Sequence, residues 1–306
     1  MRGFSLLVVF CLLPCRLIAS GEPDAFALTP IGARAGGMGN AFIGLSDEIE
    51  TIYYNPAGLG NLIQSGVTAM YQAPAISTSR EFVAFDKRFA TPRISGSLGF
   101  GWLRLQSTNI ELTSTDEQIL GSADLTNDLF IWGAGVHPFE HVSVGATMKY
   151  FRFAFDGFSE SGFGWDMGIH AQYNPFRFGV ALTDVGGTVL KGSSITPGAG
   201  DAEDKVPMRL RPGASLSLRE PFDWPIHVNF DVDGLFRLQG AQDARLFTGG
   251  EVWGFHERFA FRAGLEQGNG PTLGFGGRWG PFQLDYSFLL SQTLQDEHRI
   301  GTTFRF

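Results

Sequence analysis

The stretch FQLDYSFLL, Phe282 to Leu290, puts an apolar side chain at every second position. Phe282, Leu284, Tyr286, Phe288 and Leu290 share one face, opposite Gln283, Asp285 and Ser287. Successive side chains point to opposite sides of a strand, so this is a strand with one apolar face and one polar, charged face. Its neighbours repeat the pattern. RIGTTFRF (Arg299 to Phe306) sets Ile300, Thr302, Phe304 and Phe306 against Arg299, Gly301, Thr303 and Arg305. FAFRAGLEQ sets Phe259, Phe261, Ala263 and Leu265 against Arg262 and Glu266, and FGWDMGIHAQYN sets Phe163, Trp165, Met167, Ile169 and Tyr173 against Asp166 and His170. In MRLRPGASLSLR, Met208, Leu210, Leu216 and Leu218 oppose Arg209, Arg211, Ser215 and Arg219. A water-soluble sandwich or barrel would need polar outer faces. Here one face carries Phe, Trp, Leu and Val and the other carries full charges, which is the pattern of strands between lipid and a polar lumen.

About fourteen such segments fit between residues 65 and 306, an even number, as bacterial outer-membrane barrels require. The fold class is therefore all-β, a transmembrane antiparallel barrel of about fourteen strands. The connections agree with it. With a periplasmic N-terminus, HPFEH (137–141), NPF (174–176), EPFDWP (220–225), GFHER (254–258) and GPF (280–282) all fall on the short-turn side. The two longest links, near 107–127 and 185–205, fall on the other side and read as polar loops. Proline sets several of the turns, and the phenylalanine after it starts an aromatic girdle.

Residues 1–21 read as a secretory signal peptide: Arg2, the apolar FSLLVVFCLLP, then the small residues ASG. A lipoprotein signal is the weaker alternative, because Pro14 precedes Cys15. Both cysteines lie in that peptide, so no disulfide and no thiolate metal site is expected. After it no apolar run is long enough for a spanning helix. The net charge of −8 without any basic block argues against nucleic acid as a partner. Charged residues make up only 18% of a chain with 41 glycines and 29 phenylalanines, which favours aromatic strands with tight turns over helices.

Residues 22–64 do not alternate. GARAGGMGNAFIGLSDEIE is small and helix-compatible around Asn40 to Leu45, with Gly32, Gly36, Gly37 and Gly39 permitting close backbone approach. Asn55, Pro56, Ala57 and Gly58 form a turn corner. A fourteen-stranded lumen is too wide for wall side chains to fill, so a segment that is neither strand nor lipid-compatible belongs inside as a hatch. The domains are then the signal peptide 1–21, the hatch 22–64 and the barrel 65–306.

GARAGGMGNAFIGLSDEIETIYYNPAGL resembles the N-terminal signature of PorV/PorQ-type outer-membrane proteins, relatives of the FadL/TodX long-chain hydrophobe transporters. The resemblance continues through GWDMGIHAQY, FRFGVALTDVGG, VPMRLRPGASLSL, LGFGGRW and LDYSFLLSQTLQDEHRIGTTFRF. It implies a fourteen-stranded barrel with an N-terminal hatch, and carries the family's Asn-Pro-Ala motif onto Asn55, Pro56 and Ala57. Phe304 and Phe306 resemble the C-terminal insertion signal read by the barrel assembly machinery of a Gram-negative outer membrane.

Enzymatic chemistry finds little footing. GGMGNAF (36–42) follows no strand and lacks the third glycine of a dinucleotide loop. His137, Glu140 and His141 lie in a Pro-Phe turn and lack helical zinc spacing. No G-x-S-x-G elbow occurs, and a Ser, His and acid meeting only in space is the remaining alternative. The chain is read as no enzyme, with no cofactor and no metal. The charges Asp166, Arg209, Arg211, Asp231, Asp233, Arg262, Glu266, Arg278, Asp285 and Arg299 face inward and alternate in sign between strands. That suits a salt-bridge lattice between hatch and wall better than a single-sign channel ring. Three functions remain, the first two as what the family resemblance implies. The first is passage of hydrophobic or amphipathic small molecules through the barrel or sideways out of it, with a gate at Asn55 to Gly58. The second is a PorV-like type IX secretion accessory that binds cargo or partner proteins at the long loops. The third is a structural barrel in outer-membrane lipid. On this reading Phe304→Arg costs about 2–4 kcal/mol if Phe304 lies near the midplane, and Arg305→Ala is far milder.

Overall fold

The alternation of Phe282–Leu290 is realised as exposure. In the computed structural model Phe282, Leu284 and Tyr286 are exposed, while Gln283, Asp285 and Ser287 are buried. The structure describes residues 23–75, 78–113, 119–155, 157–194, 202–221, 224–240, 243–291 and 296–306. The expected signal peptide, 1–21, lies outside these.

Sixteen strands form one antiparallel sheet. The first seven are β1 (Gly66–Ala75), β2 (Thr78–Ala90), β3 (Ser95–Thr113), β4 (Ile119–Phe139), β5 (Val142–Phe155), β6 (Phe158–Tyr173) and β7 (Phe176–Thr183). A hairpin follows, β8 (Thr188–Ser194) and β9 (Ala202–Val206). Then come β10 (Arg209–Arg219), β11 (His227–Arg237), β12 (Ala244–Gly254), β13 (Phe259–Glu266), β14 (Gly270–Trp279), β15 (Phe282–Leu289) and β16 (Glu297–Arg305). Strand β7 pairs directly with β10, and β1 pairs with β16 from Gly66↔Arg305 to Gln72↔Arg299. The wall is therefore a closed barrel of fourteen strands, which leaves no open edge.

The hairpin β8–β9 stands outside that count, and its place was not legible as a strand pair. It joins the far end of β6, which pairs with β7 over Met167–Tyr173 but with β8 over Phe158–Ser161. Between these ladders the Val185 amide donates to the Trp165 carbonyl at 2.8 Å. The region expected as a polar loop at 107–127 is likewise mostly strand, since β3 runs to Thr113 and β4 begins at Ile119. Strand ends that rise beyond the apolar band have polar residues on both faces, so period-two hydropathy vanishes although pairing continues.

One end of the barrel, here the turn end, carries the connections at 140–141, 174–175 and 280–281. The aromatic girdle expected there is present: Phe139, Phe176, Phe255, Trp279, Phe282 and Phe306 are all exposed. The ring of Phe304 packs between those of Phe282 (4.7 Å) and Phe306 (5.9 Å).

The cost expected on β16 depends on depth, which the strand ends supply. Phe304 is one residue from the end of the strand, at girdle height rather than at the centre of the apolar band. Arg305 turns inward, and its Nη2 lies 2.9 Å from Glu48. Arg on the lipid face costs about 2–4 kcal/mol at the midplane and about 0–1 near the interface. Ile300→Arg, mid-strand, is thus expected to lower unfolding stability in lipid vesicles by about 2–4 kcal/mol and Phe304→Arg by about 1 or less. Equal losses for the two, in urea titrations of the refolded barrel, would reject this depth assignment.

Candidate functional site

The N-terminal segment has little structure of its own. It contains two 3-10 turns, Pro23–Leu28 and Pro56–Asn61, and two short helices, α1 (Ala33–Gly37) and α2 (Thr51–Tyr54). Helices of one turn cannot bury their own side chains. Yet every residue from Ile31 to Gly60 except Asp47 is buried. The burial comes from the inner faces of the strands. No helix forms at Asn40–Leu45, where one was compatible with the sequence; Asn40 has φ 61° and the chain turns. The wall supplies the reason. Asp233 Oδ2 accepts from the amides of Phe42 (2.6 Å) and Ile43 (2.8 Å), and Asp231 Oδ2 accepts from Leu45 (3.0 Å). Amides taken by carboxylates are not available to a helix.

The inward charges fall on two sides of this segment. Arg34 pairs with Asp47 at 2.7 Å, with Glu48 at 3.0 Å and, by two donors, with Glu251. Glu251 also receives Arg262 Nε at 2.9 Å, and Arg262 Nη1 reaches Asp285 at 2.8 Å. Arg299 donates to Asn40 (2.9 Å) and pairs with Glu297 (3.0 Å), while Asn40 donates to Glu266 at 2.6 Å. The Arg211 guanidinium stacks 5.3 Å from the Tyr54 ring. Asp166 pairs with Lys149 at 2.7 Å, and Lys149 with Asp184 at 2.8 Å, a carboxylate that also lies 3.7 Å from Arg209. Nine of the ten residues chosen from sequence are buried; Arg278, with a 31% exposed side chain, lies nearer the mouth, 3.8 Å from Glu48. Sequence reasoning did not pick out Arg34, Asp47, Glu48, Lys149, Asp184 or Glu251. For Glu251 the signal was available, because Phe247, Glu251 and Trp253 fall in one period-two set on β12.

A second feature was not foreseen at all. Beside the Lys149–Asp166 pair, β2 to β5 and β7 carry an apolar patch on the inner face: Phe82, Leu103, Leu129, Ile131, Phe151 and Ala181 are buried in one cluster with Ile31, Phe42, Ile52 and Leu59. Leu190 of β8 and Val206 of β9 join it. These strands are apolar on both faces, as in Leu129–Trp132, so they show no contrast between inside and outside. The Pro23–Leu28 turn closes over this wall, with the Phe26 ring 5.5 Å from Phe153. Two tyrosines hold it there. Tyr53 Oη donates to the Ala27 (2.9 Å) and Thr29 (2.7 Å) carbonyls, and Tyr54 Oη to Ile31 (2.7 Å). Burial pushes both phenols well above their ordinary pKa, so both remain donors. Beside them, among Leu28, Tyr53, Tyr54, Leu235 and Phe247, a cleft of about 20 Å³ remains, room for about one water.

The Asn55 corner is docked on the wall. Asn55 Oδ1 caps the following turn by accepting from Ala57 at 3.2 Å, and its Nδ2 donates to Ile169 at 3.2 Å. Pro56 and Ala57 lie against Gly145 and Gly168, where any Cβ would collide with the Pro56 carbonyl or with Asn55 Oδ1.

No protein-family model and no curated protein matches the sequence. Solved structures do match the fold. The CymD monoaromatic hydrocarbon channel superposes with TM-score 0.62 at 14% identity, over 90% of this chain and 98% of its own. The Ralstonia pickettii toluene transporter TbuX gives 0.61 at 15% identity, over 92% and 100%. A Pseudomonas aeruginosa FadL homologue gives 0.58 at 11%, over 90% and 98%. At these identities the shared property is the fold, that of FadL/TodX-type barrels. None of the comparisons supports the PorV/PorQ resemblance.

Two outcomes are expected. Gly145→Ala should undock the corner and expose residues 46–62 to limited proteolysis while the barrel stays folded. Unchanged protection would contradict the close approach. The second concerns Glu50, whose Oε1 accepts from Thr68 at 3.2 Å and whose buried Oε2 has no partner. Burial, and after it the neighbouring Glu48, push its carboxyl up from 4.5 to about 7. A raised carboxyl contributes stability in full below about 4.5, and that contribution is lost as pH rises through about 7. Proteolytic protection of the segment should therefore fall between about pH 4.5 and 7 and level off above it, and Glu50→Gln should remove that pH dependence. An identical profile in the variant would exclude Glu50 as the source.

Proposed function

We propose that this protein is an outer-membrane channel for small hydrophobic or amphipathic molecules, with residues 22–64 as its hatch. The observation that carries the reading is the apolar inner wall under the Pro23–Leu28 turn. The interior of a membrane barrel is ordinarily polar. An inward cluster of Phe82, Leu103, Leu129 and Phe151, joined by Phe26 of a short turn that Tyr53 holds at the Ala27 carbonyl, is a binding surface partly occupied by the protein's own Phe26. An apolar ligand that displaces the turn takes the place of Phe26, and the charged side of the lumen receives a polar head group. The same fold in CymD and TbuX, described as a monoaromatic hydrocarbon channel and a toluene transporter, supports this class of cargo.

Asn55 to Gly58 then serves as the pivot of the hatch, fixed to β5 and β6, while residues 23–31 move. Release can run toward the turn end or sideways at β6, where the ladder changes partner between Ser161 and Met167. The turn end faces the periplasm of a Gram-negative cell, and Phe304 and Phe306 address the chain to the barrel assembly machinery. No reaction is assigned to it. A secretion-accessory role has no comparable observation behind it, because the described residues of the long links proposed as its surface are mostly paired strand.

Native mass spectrometry of the gently extracted barrel should show a bound small hydrophobe, and the purified barrel should bind an uncharged naphthalene fluorophore. Phe153→Asp, which puts a charge in the apolar wall, should weaken that binding by about tenfold or more. An empty barrel that also fails to bind the fluorophore would leave a structural barrel instead.

A further inference from the structure

At the turn end, a cavity of about 230 Å³ opens among the ends of β6, β7 and β10. Its lining includes Arg177, Arg219, Ser217, Gln172, Asn174 and Phe176. It thus presents two guanidinium groups, and among the described residues no carboxylate lies in the lining. Among the described residues, both arginines pair with carboxylates that they share with other cations. Asp47 divides itself between Arg34 at 2.7 Å and Arg177 at 3.2 Å. Glu257 divides itself among Arg219 (3.6 Å), His227 (3.4 Å) and Arg278 (3.6 Å). The Arg219 side chain is 75% exposed. Cationic donors at this mouth are therefore under-neutralised and accessible, beside a cavity well above the size of one water.

We infer that this cavity binds a phosphate-type oxyanion through Arg177 and Arg219, in competition with Asp47. A guanidinium presents a planar fork of donors that matches two oxygens of one phosphate, and charge-assisted bonds of this kind are stronger than neutral ones. The amides of Gln172 and Asn174 lie in the same lining, and the remaining volume takes the group attached to the phosphate. Binding draws Arg177 from Asp47 and leaves that carboxylate to Arg34, so the site reports on the loop at 44–50. The anion comes either free from the aqueous side or as a phospholipid head group, and the inference holds whether or not a hydrophobe crosses the barrel.

The test is calorimetric titration of the full chain in neutral detergent with sodium phosphate against sodium chloride of equal ionic strength. Alongside it, native mass spectrometry counts phosphatidylglycerol retained from nanodiscs. Arg219→Gln, exposed and remote from the N-terminal segment, should weaken phosphate or lipid binding about tenfold. Asp47→Asn, which frees Arg177, should tighten it. Phosphate binding identifies a free anion, and retained phosphatidylglycerol without phosphate binding identifies a head group. Absence of both, indifference to Arg219→Gln, or no tightening in Asp47→Asn overturns the proposal.

Discussion

Glu251 is a carboxylate with no exposed side-chain surface, and two guanidiniums meet on it. One, Arg262, comes from the adjacent strand of the wall; the other, Arg34, comes from the segment inside. A charge so deep is tolerated only when it is paired and its lone pairs are used, and removing one partner of such a pair is strongly destabilising. The wall and the interior segment therefore cannot be separated without stranding charge on both. Asp231 and Asp233 act in the same sense by taking backbone amides at 42, 43 and 45. The inner chain is held where it has least regular structure, because its free amides and the wall's carboxylates satisfy one another.

Around this lattice the lumen divides by chemistry. Strands β10 to β16 contribute most of the buried charges, and β2 to β5 with β7 most of the apolar patch, beside the Lys149–Asp166 pair. The interior segment matches both. It turns Arg34, Asn40 and Glu48 toward the first and Ile31, Ile52 and Leu59 toward the second. A single-sign pore would steer ions; an interior divided in this way suits an amphipathic or apolar guest, provided that Phe26 and its turn give way.

How far the sequence reached follows from this division. On β13, β15 and β16 the two faces differ sharply, so Arg262, Asp285 and Arg299 could be placed inside from alternation alone. On β3 to β5 both faces are apolar, and Leu129 beside Phe130 gives no hint of which looks inward. The hairpin β8–β9 was hidden for the opposite reason, since short polar strands above the apolar band read as loop. The glycines at 145 and 168 gave no signal that they accommodate Pro56 and Asn55, because that contact joins residues about ninety or more positions apart. The charges within residues 34–50 went unremarked because small residues dominate that stretch. Their partners lie on strands up to 257 positions away.

The course of the inner segment has a consequence for assembly. Phe26 lies at the loop end beside Phe153, at the far end of β5, and the chain descends through the lumen before β1 begins at the turn end. The ladder that closes the ring, β1 with β16, joins residues more than two hundred positions apart, the entropically most expensive closure in the wall. Gly36 and Asn40 rest on Arg299 of β16, while Ile49 rests against Gly66 of β1. The same segment thus touches both sides of the seam. It is the form on which the ring closes, and once the seam has formed the segment is already threaded.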